Sequence, residues 1–449
     1  MKFLVKDKEF YKEAALIAIP ISLQNVITIG VNLADTVMVG ALGEVTLSAT
    51  ALAGQFVNIF QICCMGIGMG ANVLTSRFWG MKDISSLKKA VTLMLRICVS
   101  LALLVFTLPT ILCPELLMKI YTNDPEVIAE GILYFRWMIP CYLLQGLALT
   151  CTIVLRSVGQ VKIPLLSSLG AFFVNIFFNY IFIFGKLGLP AMGIQGAGIG
   201  TLIARVFEFT FILGYMFIFD KRIGYRLRDL RTKCGDLINT YVHISLPVFV
   251  SDTLLGLGNS AVAMVMGRIG RDFVSANSIT VVTQQLSTVL IQGICNASCI
   301  MTGHTLGRGE KEKAQKEAWT FLALSAIVGL VGGIIIVLIK NPVIACYNIE
   351  EGTKLLANEL MYSIAIIVVF QSMNSILTKG VLRAGGDTKF LMVADILFLW
   401  VLSIPLGALA GLVWHLNAFW VYFLLKADQV VKAIWCLGRL KGNKWIKTL

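Results

Sequence analysis

Charged residues are scarce in this sequence. They make up 14% of its 449 residues, whereas hydrophobic residues make up 57%. An ordinary soluble domain carries about 25% charged residues, so this composition excludes a typical water-soluble protein. Apolar runs recur between short polar breaks along the whole chain, and a run of about 20 residues is long enough to cross the hydrocarbon core of a bilayer. The sequence therefore predicts a polytopic membrane protein.

Histidine is also scarce, and no residues have the spacing of a catalytic or metal site. The three histidines, His243, His304 and His415, lie far apart near predicted span ends. The 11 cysteines form no Cys-x-x-Cys pair of the kind that zinc sites use. No Ser/His/Asp or Cys/His set is visible. We therefore expect a protein that is not an enzyme and that needs no cofactor.

The net charge of +13 is not gathered in a basic domain. Basic residues lie at the ends of apolar runs, which is typical of topology determinants and argues against nucleic-acid binding. With the N-terminus taken as cytoplasmic, 28 Lys and Arg residues fall on the inner side and 6 in outer loops. This asymmetry predicts that both termini are cytoplasmic. The first residues, MKFLVKDKEFYKEAA, contain no small-residue cleavage site, so we expect no removed signal peptide.

The strongest positive signal is an internal repeat. When residue n is laid on residue n + 227 without gaps, identical residues coincide over a long stretch. Examples are Pro20 on Pro247, Gly40 on Gly267, Gly66 on Gly293, Arg156 on Arg383 and Lys162 on Lys389. Two equivalent halves in a membrane protein are typical of transporters in which one half moves against the other around a central site. The cleft between the halves is the expected substrate cavity.

The repeat divides the chain into two predicted lobes of six spans each. The N-lobe covers residues 1–220, the C-lobe covers residues 237–449, and a basic cytoplasmic linker, 221–236, joins them. We expect an all-α fold of about 12 transmembrane helices in two pseudo-symmetric six-helix lobes. The predicted spans lie near residues 14–40, 46–76, 90–113, 131–155, 164–184, 194–219, 240–267, 274–303, 318–340, 356–380, 390–410 and 414–437.

Five acidic residues fall inside these spans: Asp35, Glu208, Asp252, Asp395 and Asp428. An ionised side chain at mid-span costs about 2.5 to 3.5 kcal/mol or more, so each acid needs a reason to be there. Glu208 follows Arg205 by one helical turn and Asp428 is close to Lys426 in the sequence. We interpret these two acids as members of ion pairs.

Asp35 has no basic residue within two helical turns in the sequence. Such a carboxylate either holds a proton or binds a cation. Asn175 and Asn179 are four residues apart on one face of the fifth span, and Thr201 follows the glycine run of the sixth. One carboxylate, two amide oxygens and a hydroxyl suit either Na⁺ or a proton. The alternative interpretation is that these polar groups only satisfy one another across membrane helices.

In the C-lobe, Asp252 and Asp395 are candidates for binding a cationic substrate or a second proton. The alternative is that either residue caps polar backbone near an interface. Gln24 and Gln284 are further candidates for substrate binding.

Several motifs of this sequence resemble those of the multidrug and toxic compound extrusion (MATE) family, and the resemblance covers essentially the whole chain. The matching segments are 35–40 (DTVMVG) in the first span, 155–159 (LRSVG) after the fourth and its counterpart 382–387 (LRAGGD) after the tenth. The resemblance implies an antiporter that lets Na⁺ or H⁺ run inward while it expels organic, commonly cationic, compounds.

The resemblance also implies an N-lobe cation site at Asp35, Asn175, Asn179 and Thr201. Family members with a C-lobe cation site carry acids on the seventh and tenth spans. The interior of the tenth span here contains polar residues such as Gln371 but no acid. We therefore expect ion coupling in the N-lobe only, with the choice between Na⁺ and H⁺ left open.

We predict a monomeric drug/cation antiporter of the inner or plasma membrane that works by alternating access. Its expected partners are small organic cations or drugs and membrane lipid, with no nucleic acid. The alternative is a flippase for a lipid-linked precursor, from a distant branch of the same superfamily. Such flippases have strongly basic cavities, whereas the mid-span charges of this sequence lean acidic, so antiport is the preferred interpretation.

Overall fold

The computed structural model describes residues 4–345, 350–442 and 444–447, and these residues form helices and loops without any strand. Lys2, which the charge count includes, lies outside the described residues. Eleven helices in the described part of the chain are long and apolar enough to cross a membrane. The predicted all-α membrane architecture is confirmed.

The spans are named α1 to α12 in chain order, and each overlaps one predicted span. A short helix, Pro114–Lys119, follows α3, and a 3₁₀ turn, Leu227–Arg231, lies in the linker. The bounds are α1 Lys8–Gly40, α2 Glu44–Gly80, α3 Ile84–Leu112, α4 Pro125–Ser157, α5 Lys162–Phe184, α6 Gly193–Phe219, α7 Gly235–Ile269, α8 Arg271–Gly307, α9 Lys311–Ala345, α10 Glu351–Ala384, α11 Thr388–Val413 and α12 Ala418–Leu425 with Ala427–Lys441.

The twelfth span is one helix in the prediction but two helices in the structure. Its first part ends at Leu425, and the φ of −116° and ψ of 14° of the next residue, Lys426, depart from the helical region. Just after the break, the backbone N–H of Asp428 donates to Ser403 Oγ at 2.6 Å instead of continuing the helical ladder. A side chain from α11 thus takes over a backbone donor, which explains a break that contains neither proline nor glycine.

Turns of π type interrupt four of the spans. A π turn closes its hydrogen bonds one residue later than an α turn, so it rotates the side chains that follow it. The equivalent of α11 in the first repeat, α5, is a regular α-helix throughout Lys162–Phe184. The π turns are Leu101–Thr107 in α3, Tyr215–Phe219 in α6, Ile376–Val381 in α10, and Leu397–Ser403 and Leu409–Val413 in α11.

The glycine run of α6 allows close helix packing. A Cβ atom on Gly196 would collide with the backbone of Phe182 in α5, and one on Gly198 would press on the Trp137 side chain of α4. Small residues of this kind let membrane helices approach closely. The approach brings α6 beside the polar face of α5.

The described residues pack into two compact units. The N-unit is Leu23–Trp79 with Asp83–Val242, and the C-unit is Met1–Ser22, Gly80–Lys82 and His243–Leu449. The start of α1 packs with the C-unit because the rings of Phe10 and Phe321 lie 5.1 Å apart and Val5 N donates to Thr320 Oγ1 at 2.9 Å. The lobes 1–220 and 237–449 stay a prediction.

The basic linker packs on the N-unit. Asp229, in the 3₁₀ turn, accepts a hydrogen bond from Lys88 Nζ at 2.9 Å, and Arg96 donates to the carbonyl oxygen of Leu230 at 2.7 Å. Partial burial acts to raise the pKa of Asp229, but the donors from Lys88 and the Arg226 backbone hold it below its usual value. The linker is therefore fastened to α3 by charge-assisted hydrogen bonds.

Candidate functional site

A polar cavity of about 490 Å³ lies within the N-unit, with walls from α1, α2, α4, α5 and α6. Three of the four residues predicted to bind the ion, Asp35, Asn179 and Thr201, line it. Most of the other polar lining comes from amide and hydroxyl side chains, namely Asn32, Thr36, Thr50, Gln55, Asn58, Gln61, Tyr134 and Gln145. The cavity is thus rich in neutral hydrogen-bonding groups around a single carboxylate.

The Asp35 carboxylate is joined to α5 through Asn179. Asn179 Nδ2 donates to Asp35 Oδ1 at 2.6 Å and to Asn175 Oδ1 at 3.3 Å. Both asparagines are almost fully buried, whereas Asp35 is half-buried. The amide nitrogen therefore stands between two oxygens, where a small cation would be coordinated. Three of the four predicted residues are in one hydrogen-bonded cluster.

The fourth residue, Thr201, follows a glycine that the cluster requires. A Cβ atom on Gly200 would collide with Asn179 Oδ1, so only glycine leaves room for the amide in this orientation. Asn179 Oδ1 is buried and has no hydrogen-bond partner among the residues that the structure describes. An unsatisfied buried acceptor costs about 1 to 3 kcal/mol, which marks the cluster as a place where another arrangement is accessible.

Arg205 is the functional residue that the sequence interpretation of Asp35 did not include. It lines the same cavity, one turn after Thr201 on α6, and its charge acts on Asp35. Arg205 Nη1 also pairs with Glu208 Oε2 at 2.5 Å, as predicted. Asp35 has no basic neighbour along its own helix, but it has one in space.

Gln24 makes a separate polar contact within the N-unit. Its Nε2 donates to Ser168 Oγ at 2.6 Å, and its Oε1 accepts a hydrogen bond from Nη2 of Arg156. Arg156, one of the 28 basic residues that the sequence predicts to be cytoplasmic, thus contributes to a bond between α1 and the end of α4. Gln24 does not line the cavity that contains Asp35.

In the C-unit, Asp252 forms a bidentate ion pair with Arg383. The oxygens of Asp252 lie 2.9 Å and 3.2 Å from the two terminal nitrogens of Arg383, whose side chain is almost fully buried. Arg383 is the counterpart of Arg156 in the repeat. A cationic substrate at Asp252 would have to displace this guanidinium.

Asp395 and Asp428 are both ion-paired with one basic residue, Lys432. Its Nζ lies 3.0 Å from Asp395 Oδ1 and 3.2 Å from Asp428 Oδ2, and all three residues are at least 96% buried. The prediction that Asp428 pairs with Lys426 is therefore wrong. Lys432 follows Asp428 by four residues on the same face of α12, whereas Lys426 lies at the helix break.

These ion pairs correct the charge balance inferred from the sequence. Arg205, Arg383 and Lys432 each pair with a mid-span carboxylate, so three of the five acidic charges are balanced by bases within the spans. Arg383 and Lys432 are among the 28 basic residues that the sequence predicts to be cytoplasmic. Basic residues near predicted span ends were assigned to loops because hydropathy alone does not show which of them are buried.

Gln284 lies in a smaller polar cavity of the C-unit, together with Asp395 and Asp428. Its Nε2 donates to Gln371 Oε1 at 2.6 Å. Among the described residues, no group of three or more His, Cys, Asp and Glu is arranged to hold a metal ion. The oxygens of Asp35, Asn175 and Thr201 are nevertheless the hard ligands that suit Na⁺.

Two stretches of the chain, residues 20–181 and 247–409, match the family model described as MatE. Their starting points differ by the same offset as the internal repeat. The chain is 24% identical over 454 residues to a probable multidrug resistance protein NorM of Thermotoga maritima, covering 99% of this chain and 96% of that protein. It is 26% identical over 418 residues to the multidrug resistance protein MdtK of Pectobacterium atrosepticum, covering 89% and 88%.

Solved structures show the same fold. A MOP superfamily transporter from Pyrococcus furiosus superposes with a TM-score of 0.86 at 20% identity, over 97% of both chains. A multidrug resistance MATE family transporter in an outward-facing conformation gives the same TM-score, identity and coverage. At this identity the likeness establishes the helical architecture alone.

Proposed function

Because the chain belongs to the MatE family, we propose that it is a secondary active antiporter that exports organic cationic or amphipathic compounds in exchange for H⁺ or Na⁺. The relatives that carry the names of multidrug resistance proteins support this class of substrate. The protein crosses the membrane many times, and we place it in the inner or plasma membrane.

The observation that carries the proposal is the Asp35 cluster in a cavity of about 490 Å³. Drug-sized ligands occupy cavities of about 300 to 1,000 Å³, so substrate and ion can share this space. Asp35 is the carboxylate of the lining, and Arg205 is balanced by Glu208. A cationic substrate and a coupling cation would therefore compete for the same negative charge.

Competition for one carboxylate gives exchange its physical basis. Two cations near Asp35 repel each other, so binding of either weakens binding of the other, and the coupling is reciprocal. The ion that enters from outside expels the substrate, and the next substrate expels the ion.

The bond between Asp35 and Asn179 links this competition to helix movement. Na⁺ at the cluster would replace the N–H of Asn179 beside Asp35, so the amide must turn away and α1 loses its present bond to α5. A proton on the free oxygen of Asp35 would leave that bond in place. A ligand shifts a conformational equilibrium only as far as its affinities for the two states differ. For Na⁺, the exchange of the bond between α1 and α5 supplies that difference, whereas for H⁺ it is supplied by the loss of the negative charge on Asp35.

Export of a fluorescent organic cation from vesicles reconstituted with the full-length protein tests the proposal. One set of vesicles has an inward Na⁺ gradient at equal pH, and the other has an inward H⁺ gradient without Na⁺. We expect one gradient to drive export and the other to be inactive, which also identifies the ion. Absence of export under both gradients would contradict antiport, and gradient-independent movement of a fluorescent lipid-linked saccharide would support the flippase alternative.

A further inference from the structure

The C-unit contains a cavity of about 150 Å³ whose chemistry differs from that of the N-unit cavity. Six amide side chains line it, from α7, α8, α10 and α12: Asn259, Gln284, Gln292, Gln371, Asn374 and Gln429. A water molecule takes up about 30 Å³ in the liquid, so the space is too large for a single monatomic ion to fill. It is well below the size of a site for a drug-sized molecule.

The charges around this cavity leave an excess of positive charge. Three lysines, Lys379, Lys426 and Lys432, line it against two aspartates, Asp395 and Asp428. Both aspartates are already engaged by Lys432, at 3.0 Å and 3.2 Å. The other two lysines add two positive charges to a triad with one net negative charge, which leaves a surplus of one.

The side chains of Lys379 and Lys426 differ from that of Lys432 in their contacts. Neither has an ion pair or hydrogen bond with a residue that the structure describes. Lys426 is close enough to Asp428 and Lys432 for both charges to act on it, yet it bonds to neither. Both lysines are half-buried, and a charged group that is partly removed from water is costly unless it is paired. An anion in the cavity would therefore stabilise both.

The two lysines are specific to the second repeat. Their counterparts at the offset of 227 are Thr152 and Ile199 in the first repeat, whereas the counterpart of Lys432 is Arg205. The duplicated scaffold therefore requires a basic residue at the Arg205/Lys432 position but not at the other two. Lys426 also lies at the break in α12.

We propose that this cavity is a binding site for a small monocarboxylate, held by Lys379 and Lys426 and by N–H groups of the lining amides. One surplus positive charge matches one carboxylate, and each amide nitrogen carries two N–H groups, of which one bond per amide is present within the cavity for Gln284, Asn374 and Gln429. The inference goes beyond ion-coupled efflux, because this site lies in the C-unit and binding to it can be measured without a transport assay.

Calorimetric titration of the purified full-length protein with propionate, at constant Na⁺ concentration and ionic strength, tests the site. We expect saturable binding of propionate and none of propionamide, its neutral analogue. Lys426→Gln and Lys379→Gln should each weaken propionate binding about tenfold, the loss that one charge-assisted hydrogen bond represents. Lys426→Arg should retain most of the binding, and Lys186→Gln, which removes an exposed lysine from a loop of the N-unit, should change nothing.

Three outcomes would overturn the proposal: no binding of propionate to the unmodified protein, equal binding in the unmodified protein and both glutamine variants, or binding of phosphate or chloride as tight as that of propionate. If Lys426→Gln does not fold because it lies at the break in α12, Lys379→Gln decides the question alone. Loss of propionate binding with export intact, or the reverse, separates this site from the proposed antiport.

Discussion

Arg205 and Lys432 lie 227 residues apart, at the same position of the two repeats, and each pairs with a carboxylate of its own unit. The surrounding acids differ between the repeats. Thr201 stands where the second repeat has Asp428, and Asp35 stands where it has Val262. The C-unit holds both of its nearby carboxylates in one buried triad, whereas the N-unit leaves Asp35 beside an open cavity.

Replacement of Asp35 by asparagine should abolish export driven by an ion gradient. The substitution removes the charge that attracts the ion but keeps an oxygen that accepts the hydrogen bond from Asn179 Nδ2. The fold should therefore survive, with a melting temperature in detergent close to that of the unmodified protein. The measurement is export of the fluorescent cation from vesicles under whichever gradient is active.

Glu44→Gln is the matched control for this variant. Glu44 is an exposed acid at the start of α2, and its loss removes the same charge without touching the cluster. Export should be unchanged. Gradient-driven export by Asp35→Asn at the level of this control would eliminate Asp35 as the coupling residue.

Replacement of Arg383 by leucine should destabilise the C-unit strongly. The change leaves the Asp252 carboxylate without its partner, and removal of one member of a buried ion pair costs about 3 to 5 kcal/mol. Thermal unfolding in detergent should show a clear fall in melting temperature. The double variant Asp252→Leu/Arg383→Leu should recover most of the loss, because no uncompensated charge remains.

Lys119→Leu provides the comparison for an exposed pair. Lys119 Nζ lies 2.6 Å from Glu115 Oε1, but both side chains are more than half exposed. Exposed pairs contribute little, so the melting temperature should not move. Equal effects of Lys119→Leu and Arg383→Leu would show that burial is not what makes the Asp252 pair important.

Replacement of Lys432 by methionine should leave two buried carboxylates without their ion-pair partner. Asp395 and Asp428 both depend on its ammonium group, so we expect poor folding or a large fall in melting temperature. Lys432→Met combined with Asp428→Thr, the residue of the first repeat, removes one of the two orphaned charges and should restore part of the stability. A double variant less stable than Lys432→Met would contradict this view of the triad.

Asp83, in the loop before α3, gives a prediction for pH. Its side chain accepts from Ser86 N at 3.0 Å and caps the helix. Hydrogen bonds from the Ser86 hydroxyl and backbone hold the pKa of Asp83 below its usual value. Asp83→Ala should therefore lower the stability by about 1 kcal/mol at neutral pH.

The stabilisation by Asp83 should be complete above the unfolded pKa of about 3.9 and should disappear as the pH falls through the lower folded value. Melting temperatures of the native protein and Asp83→Ala should thus converge in acid. Asp83→Asn keeps a capping oxygen that does not titrate, so its difference from Asp83→Ala should persist. A constant difference between native protein and Asp83→Ala down to the lowest pH would rule out the ionised cap.

The fold could be predicted from the sequence because apolar runs and the repeat are signals spread over many residues. The link between Asp35 and the fifth span could also be predicted, since Asn175 and Asn179 share one helical face and both join the hydrogen-bonded cluster. Long-range side-chain contacts were harder to predict. Arg205 acts on a carboxylate 170 positions earlier, and no local pattern reveals such a pair.

A comparison of the repeats would have indicated the missing bases. Arg205 and Lys432 coincide at the offset of 227, which shows that a basic residue is needed there for more than topology. No feature of the sequence indicates the helix break at Lys426 in the same way. It depends on Ser403 Oγ, which captures a backbone donor from another helix, and the apolar run before it looks continuous.

The π turn Leu397–Ser403 in α11 implies that the two copies of an ancestral half have diverged in two ways. Substitution gave the two copies different residues at matching positions, such as Asn175 and Leu402. The π turn also rotated the side chains that follow it, without insertion or deletion of a residue. Pairwise alignment of the copies records the first kind of divergence and cannot record the second. An ancestral sequence reconstructed from such alignments would therefore need its helix register checked before its ion site is rebuilt in the other half.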